Sequence, residues 1–541
     1  MVNRDATRRW TKRLFDPLLG KRRVEQCGLR TYDLRRPGGR RRFHLRSNAD
    51  GSAVLLIDAT DAIHLNPTAA LLARLAFDGV PVERAAAALR RQFRGVSAAQ
   101  ARSDAERIYA LVERLTDATD RCPTCTITSA AEAMVKWQPP FSVPISAPYK
   151  ADLALTYDCN NNCRHCYNQC PRPRAAARSA EPVGSPLKKL VSESSGATAG
   201  LSGSASGISP KHTAGQAGSG TLFQQAGGSS TLSTKQWYQV LDRLAAVGVP
   251  HIIYTGGEPT LFDSLPDLIR RAADLGLVSG LNTNGRRLSD AGYVESLRSA
   301  GLDHVQITLQ SDDRAVHNAM CGAAAFDETV RGLKNSLAAD LHAITNTTLT
   351  RRNIGQAGRL VDFLHDLGLT VFAMNGMIFA GGGLNCGDEI GVEELAPVLA
   401  DVRDRAAQRR MRFLWYTPTE YCRLSPVELE LGPRRCNAGE YSICIEPNGD
   451  VIPCQSYYVP VGNILRDSWP TIWESALFRR FRNRGADPRA AGLPASCWEC
   501  PDLPLCGGGC PLERDHRRSV SNADEGSKQA EMRQPEPSVH A

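Results

Sequence analysis

From residue 151 onward, short apolar runs alternate with amphipathic stretches. ADLALT (151–156), HIIYT (251–255), VSGLNT (278–283), HVQITLQ (304–310), HAITNTTLT (342–350) and VFAMNGMIF (371–379) read as strands. Between them apolar side chains recur at helical spacing, with Trp237, Val240, Leu241, Leu244 and Val247 on one face. Such alternation predicts α/β architecture, parallel strands joined by crossover helices. Six units predict a partial (β/α)6 TIM-like barrel over residues 151–385 rather than eight closed units.

Upstream, residues 41–120 carry a different pattern. RRFHLR and AVLLIDA read as short strands, and three helical patterns follow. Asn66 and Pro67 suit the cap and first position of a helix whose Leu71, Leu72 and Leu75 share a face before Gly79. A second helix runs from about Val82 to Phe93. Ser97 and Gln100 form a capping-box pattern for the third, which turns Ile108, Leu111, Val112 and Leu115 inward. This order predicts a small winged-helix-like α+β domain, joined to the barrel by a linker over 121–150.

The rhythm breaks twice more. Residues 171–232, with SGATAGLSGSASG and AGQAGSG, hold too few bulky apolar groups to offset the entropy of ordering, so a flexible insertion in the first crossover is expected. After about residue 385 cysteines multiply, and ICIEPNGDVIPC reads as a hairpin turning at NGD. That cysteine-rich extension is placed at 386–515, with a disordered tail at 516–541.

Composition narrows the chemistry. At 541 residues the chain is too long for one core, and several domains are expected. Lys and Arg number 65 against 57 for Asp and Glu, and much of the excess lies in a basic arm over residues 1–40. No segment has the length and apolarity to span a bilayer or the form of a secretory signal, so a cytoplasmic protein is expected. Seventeen cysteines in a reducing compartment argue for metal or redox chemistry over disulfides.

The stretch YDCNNNCRHCYNQC (157–170) follows the first barrel strand and presents Cys159, Cys163 and Cys166. Soft thiolates select zinc, copper(I) or iron–sulfur clusters, and a structural zinc site needs four closed ligands. Cys170 is an available fourth, but it opens the insertion at Pro171. A [4Fe–4S] cluster on three thiolates leaves one iron open, and a loop after a barrel strand puts that iron at the C-terminal mouth.

CNNNCRHC matches CxxxCxxC, and in this position the stretch resembles the signature of the radical S-adenosylmethionine (radical SAM) enzymes. The resemblance implies a [4Fe–4S] cluster on Cys159, Cys163 and Cys166 that binds S-adenosylmethionine and generates a 5′-deoxyadenosyl radical. TGGEP is similar to the family's glycine-rich segment. It implies that Gly256, Gly257, Glu258 and Pro259 meet the methionine amine, where glycine allows close backbone approach and a carboxylate complements the cation. Asn282, Asn284, Thr308, Gln310 and Arg351, at the same strand ends, are implied contacts to ribose, adenine or the methionine carboxylate. Tyr167 is placed to pack beside the cluster.

A second cysteine set has the form C-x12-G-x4-C (Cys436, Gly449, Cys454) followed by C-x2-C-x5-C-x3-C (Cys497, Cys500, Cys506, Cys510). A zinc ribbon is the alternative, but the spacing resembles the SPASM extension, with one or two auxiliary iron–sulfur clusters. That resemblance groups Cys436, Cys454 and Cys510, with Cys422, on the first cluster and Cys497, Cys500 and Cys506 on the second. Cys444 competes with Cys422. The final cysteine usual in the family is missing, so the second cluster uses Asp515, His516 or another group, keeps an open iron, or does not assemble. Gln455 stands where sulfatase-maturing relatives place an aspartate. Cys122 and Cys125 form an isolated CxxC in the linker.

HLNPTAALLARLAFDGVPVERAAAALRRQF in the front domain resembles the peptide-recognition element of the pyrroloquinoline quinone peptide chaperone, in which a leader peptide adds to a sheet edge. Together these resemblances imply a maturase of a ribosomally made peptide. Its partners would be that precursor and an electron donor such as flavodoxin or ferredoxin, and neither a membrane nor nucleic acid is expected. The rival expectations are a tetrapyrrole-modifying radical enzyme, with which WYTPTEYCRLSPVELELG is compatible, and an iron–sulfur DNA-binding regulator.

Overall fold

The computed structural model describes residues 29–36, 39–48, 50–57, 61–116, 145–168 and 231–520. The arm before residue 29, the CxxC of the linker, Cys170, the insertion at 171–230 and the tail from 521 lie outside the described residues.

The front domain is a four-stranded antiparallel meander, β1 (Leu29–Arg36), β2 (Gly39–Ser47), β3 (Ala53–Ile57) and β4 (Asp61–Leu65), paired in that order. Helices α1 (Pro67–Phe77), α2 (Val82–Gln92) and α3 (Ala98–Leu115) follow. Asn66 accepts the Ala69 N–H at 2.8 Å and Ser97 accepts the Gln100 N–H at 3.1 Å, so both N-caps form, but the reciprocal half of the Ser97 box does not, because the Gln100 side chain donates to Asp104 at 2.6 Å. Two strands exceed the expectation, and β1 lies inside the stretch read as a basic arm. The reason is where the basic residues go. Arg42, His44 and Arg46 on β2 are buried against the barrel rather than solvated. Arg42 donates to Leu277 O at 3.0 Å and pairs with Asp303 at 2.8 Å. Arg46 donates to Ala147 O at 2.9 Å and Pro148 O at 3.1 Å, and its guanidinium lies 4.4 Å from the Tyr149 ring centroid. His44 Nε2 donates to Gly276 O at 2.7 Å, and burial holds the ring neutral, its pKa down to about 4.

The barrel runs β5 (Lys150–Thr156), α4 (Thr234–Ala246), β6 (His251–Gly256), α5 (Leu265–Asp274), β7 (Val278–Thr283), α6 (Ala291–Ala300) and β8 (His304–Thr308). It continues through α7 (Arg314–Cys321), α8 (Phe326–Ala338), β9 (His342–Thr348), α9 (Ala357–Asp366) and β10 (Val371–Asn375). All six predicted strands are present and pair in parallel in chain order. A seventh unit, α10 (Val392–Gln408) and β11 (Arg412–Trp415), extends the sheet beyond the boundary expected at 385. Four residues of strand are too few to register as a pattern. Ser233 and Gln236 form a capping box that starts α4, whose Trp237, Val240, Leu241 and Leu244 are fully buried. Each such side chain contributes about 1.5–3 kcal/mol relative to exposure.

The extension adds strands to the same sheet. β12 (Ser442–Ile445) pairs in parallel with β5, and β13 (Asp450–Ile452) and β14 (Gly462–Asn463) follow antiparallel. The β12–β13 hairpin turns through Asn448 and Gly449, as the NGD signal predicts; Gly449 takes φ 86°, open to glycine at little cost. Helices α11 (Trp469–Trp473), α12 (Ala476–Arg482) and α13 (Leu503–Cys506) complete it. Residues 511–520 are helical, so the first part of the expected tail is ordered, and His516 stacks on Phe379 with centroids 4.3 Å apart. No helix among the described residues is long and apolar enough to cross a membrane.

Candidate active site and auxiliary cysteines

The loop 157–168 leaves the C-terminal end of β5 and carries Cys159, Cys163 and Cys166. Neighbouring strand ends hold it. Gly257 N–H donates to Thr156 O and Glu258 N–H to Asp158 O, both at 2.8 Å. Asn162 N–H donates to Cys321 O at 2.8 Å, and Gly382 N–H to Cys166 O at 2.7 Å. Asn284 Nδ2 reaches Asn160 Oδ1 at 2.6 Å, and Tyr458 donates to Asn168 Oδ1 at 3.1 Å. The backbones are so close that a Cβ on Gly257 would lie 2.3 Å from Asp158 O, which explains the glycine.

Burial raises the Cys159 thiol to about 11, with Glu258 and Cys166 adding to the effect. Cys163 is raised by its hydrogen bond with Cys321 and by burial. Cys321, absent from the sequence expectation, is lowered to about 5 by that bond and by His317. Gln310 N–H donates to His317 Nδ1 at 3.2 Å, so Nε2 carries the proton and donates to Cys321 Sγ at 3.4 Å. The readable signal was the four-residue spacing of His317 and Cys321 on one face of α7. The trio fits an iron–sulfur cluster: three soft donors on one short loop release their protons when a cationic cluster takes the thiolates.

The other predicted contacts divide. Gly256, Gly257, Asn282, Asn284 and Thr308 lie at the C-terminal ends of β6, β7 and β8, beside the trio, with Pro259 buried at the start of the next turn. Three depart from expectation. The Glu258 carboxylate is fully buried and accepts from Thr260 N (3.1 Å), Thr260 Oγ1 (2.6 Å), Thr283 Oγ1 (2.7 Å) and Asn284 N (2.8 Å), so it ties β6 to β7 rather than waiting for an amine. Gln310 is a brace: its Nε2 donates to His165 Nε2 at 3.1 Å and its Oε1 accepts from Thr348 N at 3.0 Å. Arg351 pairs with Glu394 at 3.2 Å on an exposed surface and does not join the site.

In the extension, Cys436, Cys454 and Cys510 come together. Cys454 is raised by burial and by Cys436 and Cys510 beside it. Cys510 is raised to about 12 by burial and by Cys436. A buried triad backs this inner set. Arg435 holds both Glu440 oxygens at 2.7 and 2.6 Å, and Arg484 donates to Glu440 at 3.1 Å and to Cys436 O. Cys497, Cys500 and Cys506 form an outer set. Cys422, expected with the inner set, lies on the 419–424 turn, which packs on α13, and Cys506 and Cys500 both act on its thiol. Cys444 is fully buried in β12, a core residue. Asp515 pairs with Arg518, and His516 stacks on Phe379. Among the described residues no three Cys, His, Asp or Glu side chains are close enough to hold one metal ion.

Comparison with known proteins agrees with this geometry. The radical SAM superfamily model matches residues 153–364, and the SPASM iron–sulfur cluster-binding domain matches residues 436–501. A PqqA peptide cyclase from Streptomyces rochei is 30% identical over 284 residues, 52% of this chain and 76% of the cyclase. Streptococcus suis SuiB bound to S-adenosylmethionine has a similar fold, with TM-score 0.56, 16% identity and coverage of 86% of this chain and 93% of SuiB. SuiB bound to its precursor peptide SuiA gives TM-score 0.53 at the same identity and coverage. The chain belongs to the radical SAM superfamily. It is a radical SAM enzyme with a SPASM extension, and its cofactors are a [4Fe–4S] cluster, S-adenosylmethionine and auxiliary iron–sulfur clusters.

Proposed function

We propose that this enzyme modifies a ribosomally synthesised peptide, gripping a leader segment with the front domain while the barrel acts on the core. The observation that carries the reading is a sheet whose last strand, β4, ends the ladder, on a domain fixed to the barrel by Arg42, His44 and Arg46. A terminal strand offers backbone donors and acceptors to an extended peptide, and a fixed domain delivers that peptide to one place. The peptide named in the Streptomyces rochei relative and the precursor bound by SuiB support the same reading.

In this proposal Cys159, Cys163 and Cys166 hold the radical cluster. The backbone of Gly256 and Gly257 approaches the methionine, and Asn282, Asn284 and Thr308 orient the rest of S-adenosylmethionine. When bound, the reduced cluster and S-adenosylmethionine supply a 5′-deoxyadenosyl radical that abstracts a substrate hydrogen. The chain's part is to position the reactants and exclude water. A flavodoxin or ferredoxin supplies the electron.

The test is mass spectrometry of short precursor peptides co-expressed with the enzyme. A mass change present with the wild type and absent with Cys163→Ala is expected. A peptide that neither binds nor changes, beside a tetrapyrrole that shifts absorbance and is converted, overturns the reading.

A further inference from the structure

The SPASM resemblance expects a further cysteine for the outer auxiliary set, and residues 511–541 contain none. Two contacts place the 419–424 turn on Cys506 of the outer set, and a third holds it against the segment that follows. Tyr421 N–H donates to Cys506 Sγ at 3.4 Å, and Cys506 Sγ lies 3.7 Å from Thr419 O. A Cβ on Gly509 would sit 2.9 Å from Glu420 N, so this turn and the α13 segment touch backbone to backbone. The turn is also rigid. Thr419 Oγ1 donates to Leu424 O at 2.7 Å, and the Tyr421 hydroxyl accepts Arg434 N–H at 2.9 Å. Arg517 pairs with Glu420 on the other side.

The packing of Thr419 and Tyr421 on Cys506 therefore brings Cys422 next to the outer set. Cys500 and Cys506 both act on it electrostatically, and it acts on Cys497. Its own thiol is exposed at the protein surface. Iron–sulfur proteins do take a fourth cysteine from a distant stretch of chain.

We propose that Cys422 is the fourth thiolate of the outer auxiliary cluster, closing from upstream the shell begun by Cys497, Cys500 and Cys506. Cys436, Cys454 and Cys510 are then the three cysteines of the inner cluster. The assignment rests on the auxiliary-cluster reading of the extension and is independent of the substrate.

The first experiment uses wild-type protein. Anaerobic alkylation followed by mass spectrometry should show Cys422 protected together with Cys497, Cys500 and Cys506 in the reconstituted enzyme, and all four labelled after the iron is stripped by chelator. Labelling of Cys422 in reconstituted enzyme while the other three stay protected overturns the proposal. The second uses two backgrounds. With Cys436, Cys454 and Cys510 changed to Ala, adding Cys422→Ala should remove about four irons per chain or convert the outer cluster's spectrum to a three-iron signal. With Cys497, Cys500 and Cys506 changed to Ala, the same addition should leave iron content unchanged, and iron lost there instead assigns Cys422 to the inner set. Deoxyadenosine formation reports the radical cluster separately, so failure of that reading is distinguishable. The alkylation needs no variant and stays decisive if a variant misfolds.

Discussion

Gln310→Ala is the sharpest test of how the radical loop is held. The side chain is 1% exposed and joins two elements that do not otherwise share a bond, His165 within the cysteine loop and Thr348 at the end of β9. Removing it leaves the His165 ring nitrogen and the Thr348 N–H without these partners. Each unsatisfied group costs about 1–3 kcal/mol, so the pair amounts to about 2–6 kcal/mol. If that energy falls on the preorganisation of the loop, the hold on the cluster weakens by about 30-fold or more. The assay is anaerobic reconstitution followed by chelator competition, with Cys163→Ala setting the iron content of a chain without the radical cluster. Gln310→Ala should approach that floor at chelator concentrations the wild type resists. Burial lowers His165 to about 4, so its ring is neutral and accepts the Gln310 N–H. Gln310→Glu replaces that donor by an acceptor, and the bond can return only when the carboxylate–imidazole pair takes up a proton, on either partner. Relative to the wild type, its loading should improve as pH falls from about 8 to about 6. Wild-type iron retention in Gln310→Ala refutes the brace.

Two further outcomes follow from buried charge. Arg42→Met leaves the Asp303 carboxylate without its guanidinium and should cost about 3–5 kcal/mol, read as easier denaturant unfolding or earlier protease cleavage between the front domain and barrel. Glu446, bonded to the Tyr157 hydroxyl at 2.5 Å, is raised by burial to about 7. Its folded value exceeds the unfolded one of about 4.3, so its contribution to stability is complete below the unfolded value and is lost as pH rises through about 7. Glu446→Gln should gain about 2–3 kcal/mol on the wild type between about pH 5 and about pH 8, measured by denaturant titration at both, and parallel curves count against it.

The six barrel strands were legible as short apolar runs between amphipathic stretches, three of them exiting at Gly257, Asn284 or Gly376, and the caps at Asn66 and Ser97 because their partners lie three residues on. β1 and β4 were not. Their partners are other strands, and the basic residues around β1 belong to a sheet whose next strand sends Arg42 and Arg46 into carbonyls of the barrel. The trio was legible as chemistry, since three thiols in eight residues must share an environment. Gln310, Glu258 and Arg351 show the limit of reading position at a strand end. All three occupy the expected places in the chain, yet their side chains are committed to His165, to Thr260 and Thr283, and to Glu394. Cys422 shows another limit: its order in the chain puts it next to Cys436, whereas its neighbour Tyr421 packs on Cys506.

β12 is bonded along β5, and β5 runs straight into the loop of the trio, while the hairpin returns to Cys454. The separation between the Cys159–Cys166 loop and Cys454 is thus set by one continuous backbone ladder. A centre held at one end should keep its distance from a centre held at the other whether or not substrate is bound.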